Sequence, residues 1–360
     1  MGVMVPAGCS HEEMGAAQPN GDTSEAMLTL TPGIAAVEGA PATKVAGQGA
    51  ISGTEFGART IDFGLFLCNH EDAPVNFTPV MDGYDNLFAR VDGRQNPAGT
   101  PPYLYERWQF RRNGERAYFT TFGIRKDTKV DLYAYFPYTR NDKVPSSTDA
   151  MQQTTFDVTA IPFTSGNNDY MWADPVPNIQ DIPREPDPDD GNKQKIPITL
   201  RFHHVMALME FTVKQNFTGS MGSVFINLHD KKGRLVSTGT FSAVDGSVTS
   251  GVTADSVSVH CPFQSIPNAY QSTYLMFPAI PEGIEAGDLS ITLTLNGHEM
   301  ISEPIVVPLT NLAYNDGGTK HGLRRGYRYR YRINIDNYVK FEPLDVTPWE
   351  DTPKQIDYEI

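Results

Sequence analysis

The stretch that decides the fold is GYRYRYRINID, residues 326–336. From Tyr327 to Ile335 every second residue is Tyr or Ile, and the residues between them are Arg or Asn. Successive side chains of a β-strand point to opposite faces of a sheet, so one face of this segment is apolar and the other polar. The pattern predicts a long strand buried on one face only, as a two-sheet β-sandwich requires.

The composition of the whole chain favours many short strands. The 31 Gly and 27 Pro are spread over 360 residues rather than gathered in one tract, so turns must be frequent. A hydrophobic content of 39%, with 11% aromatic residues, is typical of a globular protein. No segment combines helical periodicity with capping residues over three turns. We predict an all-β fold, with room for two domains of roughly 100–200 residues each.

The charge of the chain restricts its partners. A formal net charge of −14 disfavours nucleic acid and anionic membrane surfaces. The row Arg328, Arg330 and Arg332 has its tyrosines on the opposite face, so it lacks the mixed aromatic and cationic surface that stacks bases. We predict a solvated sheet face with acidic neighbours there. The sequence contains no run of 18 apolar residues, so we predict no membrane-spanning helix. Cys68 and Cys261 are predicted to be buried small hydrophobes rather than a disulfide.

Strand-like segments recur in both halves of the chain. In the first half they cover residues 26–32, 60–68, 108–111, 117–122, 130–138 and 155–161, and in the second half 198–213, 224–229, 238–243, 274–277, 289–296 and 305–309. Residues 169–195 between them are rich in proline and acid, and prolines at this density cannot supply a central strand. We therefore predict a tether at 1–25, one β-sandwich at 26–195 and a second at 196–360.

No motif in the sequence predicts catalysis or a cofactor. His203 and His204 are adjacent on a strand and point to opposite faces, so they cannot easily share a metal ion. His260-Cys261 lacks a third orienting group. The acidic run at 187–191 lacks the ligand spacing and closing glutamate of a calcium loop. We expect no enzymatic activity, no metal and no cofactor.

Both ends of the sequence carry features of their own. The first 13 residues are small and apolar up to Ala7-Gly8-Cys9 and then polar, which resembles the end of a bacterial lipoprotein signal whose cysteine receives the lipid. The alternative is a polar tail with a chance cysteine. In the last segment Ile356, Tyr358 and Ile360 alternate with polar residues, which predicts either a final edge strand or a donor strand that completes a partner's sheet.

The order of several weak motifs resembles the fimbrillin family, the lipoprotein pilins of type V pili in Bacteroides-type bacteria. These motifs are the Cys9 segment, 27–31, the Thr43-Lys44 loop, 54–56 leading into 61–66, 131–138, 169–173, 200–208, and the Tyr-rich strand followed by Pro348-Trp349. The resemblance implies two tandem transthyretin-like Greek-key β-sandwich domains. It also implies a palmitate-type lipid on Cys9, an outer-membrane anchor, and other pilus subunits as partners.

The resemblance further implies that a protease cuts after an arginine beyond the first strand. Loss of that strand opens a groove, which the chain end of another subunit fills. Here the expected arginine position holds Lys44, and the next basic residue is Arg59. The displaced strand corresponds to Met27, Leu28, Thr29, Leu30 and Thr31, and the donor strand to Ile356, Tyr358 and Ile360.

We expect a structural subunit of a cell-surface fimbria that assembles by strand exchange and contributes to adhesion. The alternative is a surface lipoprotein that does not polymerise and binds a glycan or host protein through loops such as 69–104 and 165–195. A sandwich-fold hydrolase is a third hypothesis, for which the sequence offers no paired acid and base.

Overall fold

The computed structural model describes residues 26–34, 62–73, 76–80, 84–91, 108–112, 119–120, 122, 128–139, 157–186, 194–215, 223–262, 270–295, 298–299, 304–313, 320–336 and 339–348. The strands of the first half are β1 (Ala26–Ile34), β2 (Asp62–Asn69), β3 (Leu87–Val91), β4 (Trp108–Arg111), β5 (Val130–Phe136), β6 (Ile161–Thr164), β7 (Met171–Ala173), β8 (Glu185–Pro186) and β9 (Gln194–His204).

The strands of the second half are β10 (Met206–Gln215), β11 (Ser223–Asp230), β12 (Leu235–Phe241), β13 (Val248–Ala254), β14 (Ser256–Pro262), β15 (Tyr270–Pro278), β16 (Leu289–Leu295), β17 (His298–Glu299), β18 (Ile305–Val306), β19 (Tyr327–Ile335) and β20 (Val339–Pro348). The helical elements in the ranges given above are two 3-10 turns, Ile179–Asp181 and Leu309–Asn311. The predicted all-β class is confirmed. Within these ranges no helix is long and apolar enough to cross a membrane.

The first half forms one sheet of eight strands. Their order is β1-β9-β7-β5-β2-β3-β4, with β8 alongside β9. The two ends of this sheet, β1 and β4, approach each other, so the sheet curls around its own apolar core. Strand β9 shows how the sequence builds this core, because Ile196, Ile198, Leu200 and Phe202 alternate with exposed or half-exposed residues and all point inward.

The second half is a sandwich of two sheets. One sheet has the order β15-β10-β19-β20, and the other has the order β14-β11-β16-β17 with β18 beside β16. A second apolar core lies between them. The Tyr-rich strand behaves as predicted, since Tyr329, Tyr331, Ile333 and Ile335 are all buried in this core.

A third core joins the two halves. It combines Phe66, Tyr133 and Tyr135 from the first sheet with Leu208 and Met276 from the second half, among others. A three-stranded sheet of order β13-β12-β6 covers it and draws one strand from the first half. Gly64 in β2 makes room for this packing, because a Cβ atom there would lie 1.7 Å from the Tyr135 ring. The halves therefore share buried apolar surface.

The chain passes from the first half to the second half at Val205. The predicted boundary at 195/196 falls inside β9, and the pairing of β9 with β1, β7 and β8 keeps it in the first sheet as far as His204. After Val205, strand β10 joins the second half. The segment 198–213, predicted as a strand pair or one bent strand, is thus two strands in different sheets.

Three further predictions need correction. Residues 157–160 form a turn, so the strand predicted at 155–161 begins only at Ile161. Phe119 makes an isolated bridge to Phe110, rather than lying in a described strand over 117–122. The proline-rich segment 169–195 does supply a central strand, because the three residues of β7 lie between β9 and β5 before the first proline of that segment.

Candidate assembly site

The predicted displaced strand is the edge strand β1. It pairs parallel with β9 along its whole length, from Ala26 opposite Gln194 to Ile34 opposite Phe202. Within the described part of the chain β9 is the strand that β1 pairs with. On its other side β1 pairs with no strand of the described residues, so its loss would break only one ladder among them.

The side chains of β1 contribute modestly to the first core. Leu28 and Leu30 are buried there and Met27 is also buried, whereas Thr29 is half-exposed. The backbone of Thr31 pairs with Thr199 of β9. Burial of each leucine stabilises the fold by roughly 1.5–3 kcal/mol.

Loss of β1 would open an apolar groove along β9. Leu28 lies opposite Ile196 and Leu30 opposite Ile198 in the parallel register. Both isoleucines and Leu200 point into the same core as the two leucines. An extended chain with apolar residues at every second position could refill this groove, since it would supply both the backbone partners and the buried side chains.

The Tyr-rich strand β19 forms the corresponding parallel pair of the second half. It lies parallel to β10, from Leu208 opposite Arg328 to Gln215 opposite Ile335, and antiparallel to β20 on its other side. Strand β19 is therefore held between two neighbours, and its outward side chains form a charged row.

The arginine row is paired with acidic neighbours, as predicted. Arg328 lies 3.5 Å from Glu210, Arg330 contacts Asp345, and Arg332 lies 3.9 Å from Glu342. One detail differs from the expected solvated face: Arg328 is almost fully buried. That burial lowers the pKa of Arg328, and the charge of nearby Glu210 opposes the shift.

Several predicted site residues lie outside the described residues. They are Cys9, Lys44, Arg59, Ile356, Tyr358 and Ile360, together with the acidic run at 187–191. The lipid site, the two cleavage sites and the donor tail therefore stay predictions.

The two histidines act separately. The His203 imidazole donates a hydrogen bond from Nε2 to Asp174 (2.7 Å) and stacks on Trp172, whereas His204 donates from Nδ1 to Asp169 (3.0 Å) in a buried pair. Their opposite directions are as predicted from the strand. In the part of the chain that the structure describes, no cluster of three or more His, Cys, Asp or Glu could hold a metal ion.

Sequence reasoning missed a cysteine, histidine and aspartate that lie close together. Cys68 in β2 is paired with Asp131 in β5, and the His70 imidazole donates to Asp131 (2.6 Å). Asp131 also accepts the backbone N–H of Asn178 (2.9 Å). Burial, and then the charge of Asp131, raises the pKa of the Cys68 thiol to about 12.

These values make Cys68 a poor nucleophile. The thiolate is the reactive form of cysteine, and at neutral pH this group is a thiol that donates to the Phe77 carbonyl (3.8 Å). Burial likewise raises the pKa of Cys261 to about 11, and both cysteines are free and buried. The prediction that they are buried small hydrophobes is confirmed, and the Asp131 cluster is best explained as a polar anchor between loops.

The loop 165–195, predicted to bind a ligand, is largely engaged in the fold. Its described part supplies β7, β8 and the turn at Ile179–Asp181, and Ile179 is buried in the first core. Half of the other predicted ligand loop, 69–104, lies outside the described residues, and its described half includes the strand β3.

The architecture defines an all-β protein with a sandwich-like arrangement of sheets. The sequence profile of the fimbrillin-like family matches residues 99–349, which is most of the chain. The chain therefore belongs to the fimbrillin-like family, and the resemblance predicted from the sequence is confirmed. The match begins after β1 and ends before the predicted donor tail. None of the curated proteins matches the sequence.

Three solved structures that match the chain loosely come from Bacteroides and Porphyromonas species. A candidate cell adhesion protein from Bacteroides ovatus has 14% identity and a TM-score of 0.48, over 92% of this chain and 99% of that chain. A second candidate cell adhesion protein, from Bacteroides uniformis, has 14% identity and a TM-score of 0.48, over 92% of this chain and 100% of that chain. The tip fimbrial protein Mfa3 from Porphyromonas gingivalis, with a C-terminal truncation, has 11% identity and a TM-score of 0.35, over 82% of this chain and 96% of that chain. At this level of identity no residue roles can be transferred from these structures to this chain. The assignment to the family therefore rests on the match to the family profile.

Proposed function

We propose that the protein is a fimbrial subunit at the cell surface that assembles by β-strand exchange and contributes to adhesion. The observation that carries the proposal is the position of β1, an edge strand held in the sheet by β9 and in the core chiefly by Leu28 and Leu30. Membership of the fimbrillin-like family supports a fimbrial or adhesin role.

The exchange replaces one strand by another of the same pattern. Cleavage after Lys44, or after Arg59, would separate β1 from the rest of the chain. The tail of a second subunit would then lie along β9 with Ile356, Tyr358 and Ile360 at the apolar positions, because these residues have the spacing of Leu28 and Leu30. The finer architecture that belongs to this proposal is a tandem of two transthyretin-like Greek-key domains.

Delivery to the outer membrane would depend on Cys9. A lipidated cysteine followed by the polar residues 10–24 would anchor the subunit through a flexible tether. The rival function is a surface lipoprotein that keeps β1 and binds a glycan or host protein without polymerising. Both functions predict a lipid on Cys9 at first, so the fate of β1 distinguishes them.

The test is the N-terminus of the protein recovered from its native cell surface, read by mass spectrometry. Strand exchange predicts a new terminus at Val45 or Thr60. Lys44→Gln and Arg59→Gln, made singly, identify the cut, because only one of them should preserve the longer chain. A lipidated Cys9 still joined to β1 in assembled material would contradict strand exchange at this groove.

Deletion of residues 350–360 tests the donor. We expect the truncated subunit to fold, with an unchanged circular dichroism spectrum, and to be absent from polymers. A charge-matched variant, Asp357→Glu, should assemble normally. Polymers that contain the truncated subunit at the wild-type level would contradict the donor role of the tail.

A further inference from the structure

Strand β13 is a long sheet edge open to solvent. It pairs with β12 and with no other strand among the residues that the structure describes. Five consecutive residues, from Thr249 to Thr253, are exposed, and Val252 has 58% of its surface accessible. The free side of this seven-residue strand presents backbone N–H and C=O groups that another extended chain can pair with.

Four other sheet edges of the described chain carry features that disfavour such pairing. Strand β6 has four residues and includes Pro162, and β4 also has four residues. Strand β20 contains Pro343 and charged side chains, both absent from β13, whereas register irregularities occur in the pairings of both strands. The free side of β15 is partly covered, since Met276 exchanges backbone hydrogen bonds with Gly166. Short length, proline, charge and cover are the usual protections of an edge.

The charge of β13 sets it apart from the chain as a whole. Residues 246–254 contain no ionisable side chain, whereas the chain carries a formal charge of −14. With this net charge two copies of the chain repel each other, but two copies of β13 can approach without charge repulsion along the strand itself. The nearest carboxylates, Asp245 and Asp255, lie beyond the two ends of the strand.

We propose that β13 pairs antiparallel with β13 of a second copy of this chain. The two three-stranded sheets would then become one continuous sheet of six strands across a two-fold axis. The β12–β13 register shifts at Gly251, which has no β12 residue opposite it. With Gly251 opposite its own symmetry mate, Thr249 would lie opposite Thr253 of the second copy, and Ser250 opposite Val252. Cross-strand Thr–Thr pairs stabilise antiparallel sheets. In this register Asp255 lies opposite Ser247, so no carboxylate faces another.

The acidic C-terminal segment, residues 350–360, is a less favourable partner than a second β13 for the open edge of β13. Asp357 and Glu359 would add negative charge close to Asp245 and Asp255, and like charges on neighbouring strands destabilise a sheet. The contact between two copies uses neither β1 nor the tail, so it does not depend on strand exchange. Its small area, below the roughly 1,200 Å² of stable complexes, predicts weak and concentration-dependent association.

The experiment is sedimentation of the full chain from low to high micromolar concentration. We expect the average mass to rise towards that of a dimer. Val252→Lys should weaken association at least tenfold, because two like charges would then lie near the two-fold axis. Val306→Lys, in β18, is the matched control: Val306 is 55% exposed, and this variant should associate like the wild type.

A second measurement covers the case in which Val252→Lys fails to fold. Hydrogen exchange of the wild-type protein should slow in β13 as concentration rises, while exchange in β11 stays constant. A chain that is monomeric throughout, or one that associates without slower exchange in β13, would overturn the proposal. So would association that survives in folded Val252→Lys or disappears on deletion of residues 350–360.

Discussion

Strands β1 and β19 make the same kind of contact with opposite consequences. Strands β9 and β10 follow each other along the chain on the two sides of Val205. Strand β1 lies parallel to β9, and β19 lies parallel to β10. Strand β19 also pairs with β20 and buries Tyr329, Tyr331, Ile333 and Ile335. Strand β1 is at an edge and gives the first core Leu28 and Leu30.

We expect the number of neighbours, rather than the type of pairing, to decide whether a strand can be exchanged. Removal of β19 would break two ladders and empty the centre of a sandwich. Removal of β1 would break one ladder and expose one row of β9. A strand that has to be replaced during assembly is therefore best placed where β1 lies.

The largest effect is expected inside β19. Tyr331→Ala should lower the free energy of unfolding by about 3–5 kcal/mol, because the ring is fully buried between Phe211 and Phe341. Tyr270→Ala, a substitution of a tyrosine that is 52% exposed, should cost less than about 1 kcal/mol. Urea denaturation measures both. Equal effects would contradict the assigned burial of β19.

A smaller and more local effect is expected in β1. Leu28→Ala or Leu30→Ala should cost about 2 kcal/mol, at the low end for buried leucines, because an edge strand can shift to fill the space. Hydrogen exchange should become faster in β1 and along β9 and stay unchanged in β19. Thr29→Ala is the control and should have little effect. Global acceleration of exchange would show that β1 is not separable.

Acid should weaken the second half through the carboxylate of Asp230. Burial by itself would raise the pKa of Asp230, but hydrogen bonds from Arg234 outweigh it, so the pKa lies below its ordinary value of 3.8. The stabilisation is therefore present above pH 3.8 and is lost as pH falls through the lower pKa of the folded state.

The corresponding variant is Asp230→Asn. It should cost about 1–3 kcal/mol at neutral pH, because hydrogen bonds to a charged group are lost. The difference from the wild type should shrink below pH 3.8. Asp336→Asn, at an exposed site just after β19, is the control. A difference that stays constant from neutral pH into strong acid would contradict the role of the carboxylate.

The smallest effect is expected where β20 is attached to β19. Asp345→Asn removes the partner of Arg330, but the Asp345 side chain is partly exposed. Such pairs contribute about 0–1 kcal/mol, so thermal unfolding should change by no more than a few degrees. A larger loss would show that the charged row, rather than the apolar face, holds this edge.

Local pattern predicted several strands whose faces differ in polarity, but β14 was missed although Ser and Val alternate in it. The alternation from Tyr327 to Ile335 gave both the strand and its buried face. Burial of Arg328 could not be predicted, because the local alternation gives Arg328 the same position on the strand face as Arg330 and Arg332. Strand β13 was missed because small residues on both faces leave no alternation, and β20 because its exposure is irregular around Pro343.

Long-range pairing was beyond the sequence. Nothing local indicates that β1 pairs parallel with a strand that begins at Gln194, or that the chain changes sheets at Val205 within the continuous apolar run 205–209. Of the candidate site, the sequence identified β1 and the family, but not the groove along β9. The proximity of Cys68, His70 and Asp131 also depends on pairing between distant strands.

The most direct test of the account is binding of the tail to the groove that β1 leaves. Protein trimmed at Lys44 or Arg59 and separated from β1 would be titrated with a labelled peptide of residues 350–360, with untrimmed protein as the control. The account predicts saturable binding to the trimmed protein alone, abolished by an Ile356→Asp, Tyr358→Asp peptide. Equal binding to both proteins, or none to the trimmed protein with its circular dichroism intact, would contradict it.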